Sequence, residues 1–314
     1  MSIQVGSFMG RLGFGLRKYF PHMSSNLYIK LQSLRRNGAS ERFIQKALQR
    51  SEEDRLYPVY IAVETVNRCN GTCPFCPANI HSEARPYQKM SDALFEKILD
   101  EIADWDSWDG VFSLYVNNEP FIDSRMVEML QKARRRLPDA KMLVFTNGSL
   151  LTPEKLDAIA DHVDLLIINN YSVEYRLNDP VQKIYDYVKR KKDRFKNIKI
   201  VIQKRYANEY LTNRAGTAPN KKQAVKGIDH PCLIPYTDLT IYPSGQVGLC
   251  CSDVLETVDL GNIQNDKILS IYHCEAWKEI RRKMKEGRKG IRICSNCDFI
   301  DSGIRLKMID KTMV

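Results

Sequence analysis

From Tyr57 onward the chain alternates short apolar runs with amphipathic segments, and this alternation constrains the fold more than any other feature. "VYIAVETV" (59–66), "VFSLYV" (111–116), "KMLVFT" (141–146), "VDLLIIN" (163–169) and "IKIVIQKR" (198–205) are rich in β-branched and aromatic residues and read as buried strands. Helical spacing fills the intervals. Ser91 is placed to cap "SDALFEKILDEIADW", whose Leu94, Ile98 and Ile102 share a face, and Thr152-Pro153 opens "TPEKLDAIADH". "SRMVEMLQKARRR" and the segment around 180–195 read as two further helices. Strands and helices in alternation with short connections predict βαβ units and a parallel sheet. Five such units predict an α/β fold, a partial (β/α)6 TIM-like barrel, with any chemistry at the carboxyl ends of the strands.

The pattern does not cover the whole chain. Residues 1–55 read as a helical N-terminal extension, with Phe8, Leu12, Leu16, Tyr19 and Phe20 on one face. After about residue 228 the rhythm stops, and "DLTIYPSGQVGLCC" (238–251) predicts a hairpin with its turn at Ser244-Gly245. A short helix around 275–286 and a cysteine loop follow. The expected domains are therefore an extension (1–55), a core barrel (56–228) and a small cysteine-rich domain (229–314) held by something other than a large core.

No apolar run is long enough to span a bilayer. The N-terminus, interrupted by Arg11, Arg17 and Lys18, lacks the apolar core of a signal peptide, so the expected compartment is the cytoplasm. Nine cysteines in that setting, an odd number, point to clustered thiols and metal instead of a disulfide framework. The net charge of +10 comes largely from basic blocks at 132–136, 189–196 and 281–292. They read as solvated helix faces, with attraction to an acidic substrate or nucleic acid as the minor alternative.

Cys69, Cys73 and Cys76 lie in "NRCNGTCPFCP" (67–77), spaced C-x3-C-x2-C directly after the first core strand. Three thiolates can hold a 4Fe–4S cluster and leave one iron without a protein ligand, as a catalytic site requires. The competing reading is a zinc site completed by His81, or buried thiols. A second set, Cys232, Cys250, Cys294 and Cys297, is spaced C-x17-C-x43-C-x2-C and by itself suits tetrahedral zinc as well as iron–sulfur. Cys251 and Cys274 are left over, and Cys251 reads as a packing residue.

With Phe75 between Cys73 and Cys76, the first set resembles the C-x3-C-x-aromatic-C hallmark of the radical S-adenosylmethionine (SAM) superfamily. The resemblance extends over most of residues 56–305. "NNEP" (117–120) is similar to the family's GGEP element, which holds the amino group of SAM, although Asn117 and Asn118 replace both glycines. "TNG" (146–148) closes the third strand as in many members. The resemblance implies SAM contacts from Phe75, Asn118 and Glu119, and, by order along the chain only, from Ser172, Gln203 and Arg205. The second set, with Gly245 placed before Cys250, resembles the SPASM/Twitch branch, as do "LGNI" (260–263) and the segment 268–281. No cysteine follows Cys297, which implies the shorter Twitch-like form with one auxiliary 4Fe–4S cluster.

The function implied is generation of a 5′-deoxyadenosyl radical that abstracts hydrogen from a substrate. The expected outcome is two-electron oxidation of a sugar or aminocyclitol alcohol, with the auxiliary cluster accepting an electron and a flavodoxin or ferredoxin as reductant. Arg214, in "LTNRAG" before Cys232, is the candidate to meet the substrate hydroxyl, as anchor or as base. Two alternatives remain at this point: a ribosomal-peptide maturase forming a crosslink or an epimer, and a non-catalytic iron–sulfur or zinc protein that binds nucleic acid.

Overall fold

Parallel strand pairing organises the molecule. The computed structural model describes residues 3–7, 57–80, 84–207, 212–218, 229 and 231–299. Its strands are β1 (Ile3–Ser7), β2 (Tyr60–Val63), β3 (Val111–Ser113), β4 (Lys141–Thr146), β5 (Leu165–Ser172), β6 (Lys199–Tyr206), β7 (Asp238–Ile241) and β8 (Val247–Gly248). They form one open sheet in the order β1-β6-β5-β4-β3-β2-β7-β8. Every neighbouring pair is parallel except β7 and β8, which make the expected hairpin. The architecture is a partial TIM-like barrel whose five βα strands sit side by side.

A short helix α1 (Pro77–Ile80) ends the first cysteine loop, and the crossovers are α2 (Asp92–Ala103), α3 (Met126–Arg136), α4 (Pro153–Ile159) and α5 (Asp179–Arg190). Both predicted caps form: Ser91 Oγ accepts the Leu94 amide at 3.1 Å, and Thr152 Oγ1 accepts that of Lys155 at 3.3 Å. Alternate strand residues part to two faces. Ile61, Val63, Phe112, Val144, Leu166 and Ile168 pack under the helices, while Tyr60, Ala62, Val111, Leu143 and Ile167 form an apolar floor on the inner face. Basic residues of the first two blocks pair with acids on neighbouring elements, Lys132 with Glu96, Arg136 with Asp100 and Arg194 with Asp161, which agrees with solvated faces, whereas Arg288 of the third block is buried.

Two expectations are corrected. Ile3–Ser7, placed in a helical extension by the sequence, is a strand that pairs in parallel with β6 from Ile3↔Ile200 to Ser7↔Lys204. The β-branched Ile3 and Val5 suit a strand, and the backbone groups of β6 on that side need partners. The rest of the expected helix, Phe8 to Phe20 included, and His81 lie outside the described residues.

The cysteine-rich segment is also not short of a core. β7 adds to the main sheet beside β2, and α6 (Ile234–Thr237), α7 (Ile268–Tyr272) and α8 (Glu275–Glu286) pack into the same apolar core as the barrel helices. Trp277, wholly buried, donates from Nε1 to the Pro235 carbonyl at 2.7 Å and lies under the Arg281 guanidinium. Replacing Trp277 by Ala should therefore destabilise even the cluster-loaded protein by about 3–5 kcal/mol. Anaerobic denaturant unfolding followed by circular dichroism measures this; a loss below about 1 kcal/mol would mean that metal alone holds this segment.

Candidate active site between two cysteine sets

The first cysteine loop leaves the carboxyl end of β2, where parallel βα architecture places chemistry. Its turn is closed by the Cys76 amide, which donates to the Cys73 carbonyl at 3.0 Å. The Gly71 amide donates to Cys69 Sγ at 3.3 Å. A Cβ on Gly71 would stand 3.3 Å from Cys69 Sγ and 3.7 Å from Cys73 Sγ, so glycine keeps the face between these sulfurs open. Burial, with further pushes from neighbouring charges, raises Cys69 to about 12 and Cys73 to about 11. Thiols this reluctant to ionise beside one another become thiolates when a cationic group compensates them. Among the described residues, no three His, Cys, Asp or Glu side chains converge on one point as a single-ion site demands. Thiolates grouped in one loop can serve the irons of an iron–sulfur cluster.

The motif that the sequence reads as GGEP-like is built around one buried carboxylate. Glu119 accepts from Thr146 Oγ1 and the Asn147 amide, each at 2.7 Å, and from the Phe121 amide at 3.2 Å. It thereby fastens the end of β3 to the "TNG" turn after β4. Burial raises its pKa against those hydrogen bonds. Gly148 has φ +78°, and a Cβ there would meet Ile168 Cγ2 at 2.7 Å, so the turn requires glycine. Glu119 is therefore a fastener of the rim. Asn117 and Asn118 are left with Nδ2 groups that are buried and have no partner. The Ser113 hydroxyl and Asn169 Oδ1 are in the same condition. These orphaned polar atoms near the carboxyl ends of the strands offer partners to a polar ligand such as SAM.

Opposite them the structure gathers several of the other sequence candidates. Phe75 packs on Tyr171 at 4.9 Å between ring centroids, and Arg205 lies over the Tyr171 ring at 5.9 Å. Arg205 donates to Gln203 Oε1, from Nη2 at 3.0 Å. Tyr171 pairs with Arg205 across β5 and β6, so Phe75, Tyr171, Gln203 and Arg205 form one wall. Ser172 does not join it, because alternation turns it to the opposite face from Tyr171. Tyr171 and Asn169 were not singled out by the sequence; their signal was polar residues continuing at period two past an apolar strand.

Arg214 comes to lie between the two cysteine sets. Its Nη1 donates to Asn117 Oδ1 at 3.3 Å and to the Cys251 carbonyl at 3.2 Å. Burial opposes its charge, but Cys251, Tyr115, Cys76 and Tyr171 outweigh that and keep it above the ordinary arginine value.

In the second set, Cys250 is raised by burial and by Cys251, Cys232 and Cys294. Cys294 is raised to about 12 by burial and by Cys232 and Cys297. Cys232, Cys250, Cys294 and Cys297 thus share one electrostatic neighbourhood, which Cys251 also enters beside Cys250. The buried Arg288 is its counterion and donates to the Cys297 carbonyl at 3.2 Å. Cys251 also packs with the inner-floor group of Tyr60, Ala62 and Tyr242, and Cys274 Sγ faces the Leu260 carbonyl at 4.0 Å.

A buried charge network missed by the sequence reading ties the two sets together. Glu64, at the end of β2, pairs with Arg85, whose Nε donates to Glu256 Oε1 at 2.9 Å. Glu64 also accepts the Asn117 amide at 3.0 Å. Burial pushes Glu64 up to about 7 against the pull of Arg85. The signal was available: an acid inside the apolar run "VETV" demands a cation.

Residues 63–214 match the Radical SAM superfamily, and residues 232–298 match the SPASM iron–sulfur cluster-binding domain. The chain carries a radical SAM domain followed by a SPASM iron–sulfur domain. It is similar to the S-adenosyl-L-methionine-dependent 2-deoxy-scyllo-inosamine dehydrogenase of Niallia circulans, at 25% identity over 250 residues, covering 79% of this chain and 95% of that protein. Among solved structures, BtrN in complex with AdoMet and 2-DOIA aligns with TM-score 0.67 at 22% identity, over 78% of this chain and 94% of that one. Native anSMEcpe with bound AdoMet aligns with TM-score 0.52 at 14% identity, over 76% of this chain and 89% of that one. These two share the fold. The protein is a radical SAM enzyme that takes a 4Fe–4S cluster, SAM and an auxiliary iron–sulfur centre, and the non-catalytic alternative is not favoured. Among the described residues no helix is long and apolar enough to cross a membrane.

Anaerobic reconstitution should give about eight irons per chain, four for each cubane. Replacing Cys69, Cys73 and Cys76 together by Ala should remove half, whereas Cys251→Ala or Cys274→Ala should remove none. Loss of a full cluster from Cys251→Ala would show that Cys251, not Cys250, is the ligand. Arg85→Met, which strands the Glu64 and Glu256 carboxylates, should cost about 3–5 kcal/mol in denaturant unfolding; an unchanged midpoint would show the network to be dispensable.

Proposed function

We propose that this protein is a radical SAM dehydrogenase that oxidises a secondary alcohol of an aminocyclitol or related sugar to the ketone. The observation that carries this reading is the placement of Arg214, whose one nitrogen reaches both Asn117 beside the three-cysteine loop and the Cys251 carbonyl beside the second set. A substrate hydroxyl held there lies between a radical source and an electron acceptor. The similarity to a dehydrogenase acting on 2-deoxy-scyllo-inosamine, over most of both chains, supports the same substrate class.

When bound, the first cluster with SAM supplies a hydrogen-abstracting 5′-deoxyadenosyl radical, and the auxiliary cluster an acceptor for the second electron. The rest is the work of this chain's residues. Cys69, Cys73 and Cys76 hold the first cluster; Cys232, Cys250, Cys294 and Cys297 hold a single auxiliary one. Phe75, Asn118, Gln203 and Arg205 contact SAM, and Glu119 acts on it indirectly by fixing the rim. Arg214 stays protonated, so it anchors the hydroxyl oxygen and favours release of its proton to solvent water, and does not itself take that proton. A flavodoxin or ferredoxin delivers electrons in the cytoplasm.

With 2-deoxy-scyllo-inosamine, the reconstituted enzyme should form ketone and 5′-deoxyadenosine in equal amounts. The double variant Cys294→Ala, Cys297→Ala should still cleave SAM but yield no ketone. Circular dichroism must first show the variant folded, because cluster binding and folding are coupled. A folded double variant that makes ketone at the normal rate would reduce the auxiliary cluster to a structural staple.

A further inference from the structure

The backbone at Arg214 is held in an unfavourable form. Arg214 and Ala215 have φ +48° and +54°, the left-handed region that residues with a Cβ rarely adopt and that persists only where surroundings impose it. What imposes it is the second cysteine loop. The Asn213 amide donates to Asp298 Oδ1 at 2.6 Å, and the Asp298 amide returns a bond to Asn213 Oδ1 at 3.2 Å. Asn213 Nδ2 donates to the Asn296 carbonyl at 2.6 Å. Asn213 and Asp298 are both about 5% exposed, so these bonds are shielded from competing water. On its other side the Asn213 carbonyl accepts from Gly216 at 2.9 Å and Ala218 at 3.0 Å, which closes the turn that carries Arg214.

We infer that Asn213 and Asp298 are positioning residues: the loop that carries Cys294 and Cys297 sets the guanidinium of Arg214 as well as offering thiolates to iron. This rests on the reading of Arg214 as the substrate-contacting group. Its physical content is that a turn strained at two consecutive residues relaxes when its outside partner is removed. Relaxation would carry the guanidinium away from Asn117 and Cys251. Displacement of a substrate-orienting group by about 1 Å can cost about 100-fold in rate.

The test uses the holoenzyme with both clusters, as Asp298→Ala, Asp298→Asn, Arg214→Ala and the double variant Asp298→Ala, Arg214→Ala. Phenylglyoxal labelling of Arg214, read by mass spectrometry without turnover, should rise about ten-fold in Asp298→Ala at unchanged iron content, as expected for one lost buried hydrogen bond. Asp298→Asn keeps an acceptor for the Asn213 amide and should return labelling to the wild-type value. With 2-deoxy-scyllo-inosamine, ketone formation should fall about 10- to 100-fold in Asp298→Ala, while SAM cleavage continues. In the Arg214→Ala background the same change should cost nothing further, since residues acting through one group are not additive.

Unchanged labelling in a fully loaded Asp298→Ala protein would overturn the inference, and so would full additivity with Arg214→Ala. Loss of auxiliary iron from Asp298→Ala would also overturn it, because the pair would then serve the cluster. If the wild-type enzyme left the cyclitol unchanged, the substrate reading would fail while the labelling result still decided whether the loop positions Arg214.

Discussion

Buried carboxylates need donors, and the rim of this sheet is organised by two of them. Parallel pairing delivers the ends of β2, β3 and β4 to the same side, but their loops would be free to diverge. Glu119 stops this by taking hydrogen bonds from Thr146 and Asn147, locking β3 to β4. Glu64 does the same in the other direction, with one oxygen on the Asn117 amide and the other on Arg85, which reaches on to Glu256. Removing the donors leaves uncompensated buried charge, which is why these contacts stabilise the rim more than exposed ion pairs such as Arg176–Glu174.

The same network explains how one chain holds two cysteine sets at a fixed separation. The second set is not on a tethered appendage. β7 is hydrogen-bonded to β2, so the segment carrying Cys250 extends the strand layer that carries Cys69. Arg85 bridges from the first set's neighbourhood to the loop after Cys251, and Tyr242 beneath it donates to the Asp253 carbonyl at 2.5 Å. Electron transfer between centres depends on distance, and hydrogen abstraction on angstrom-level placement. A shared sheet with buried cross-links gives both a rigid frame.

Much of this was legible in the sequence, for identifiable reasons. The βα alternation left period-two and helical patterns that local reading detects, and Ser91 and Thr152 cap where their spacing implied. The cysteine spacings, C-x3-C-x2-C and C-x17-C-x43-C-x2-C, carry the family resemblance in the primary structure itself. What escaped depends on partners distant along the chain. Ile3–Ser7 becomes a strand only because β6, about two hundred residues later, offers an edge. Arg85, in the loop "EARPY", has no periodic neighbours to mark it as buried. Ser172 was placed by order along the strand, which cannot tell one face from the other.

The central claim is that an alcohol carbon held by Arg214 is the site of hydrogen abstraction. Substrate deuterated at that carbon tests it most directly, with the 5′-deoxyadenosine product analysed by mass spectrometry. The account predicts one deuterium in each 5′-deoxyadenosine formed during turnover, and none when the label sits on any other carbon of the ring. Transfer from a different ring carbon, or unlabelled 5′-deoxyadenosine accompanying labelled ketone precursor, would contradict it.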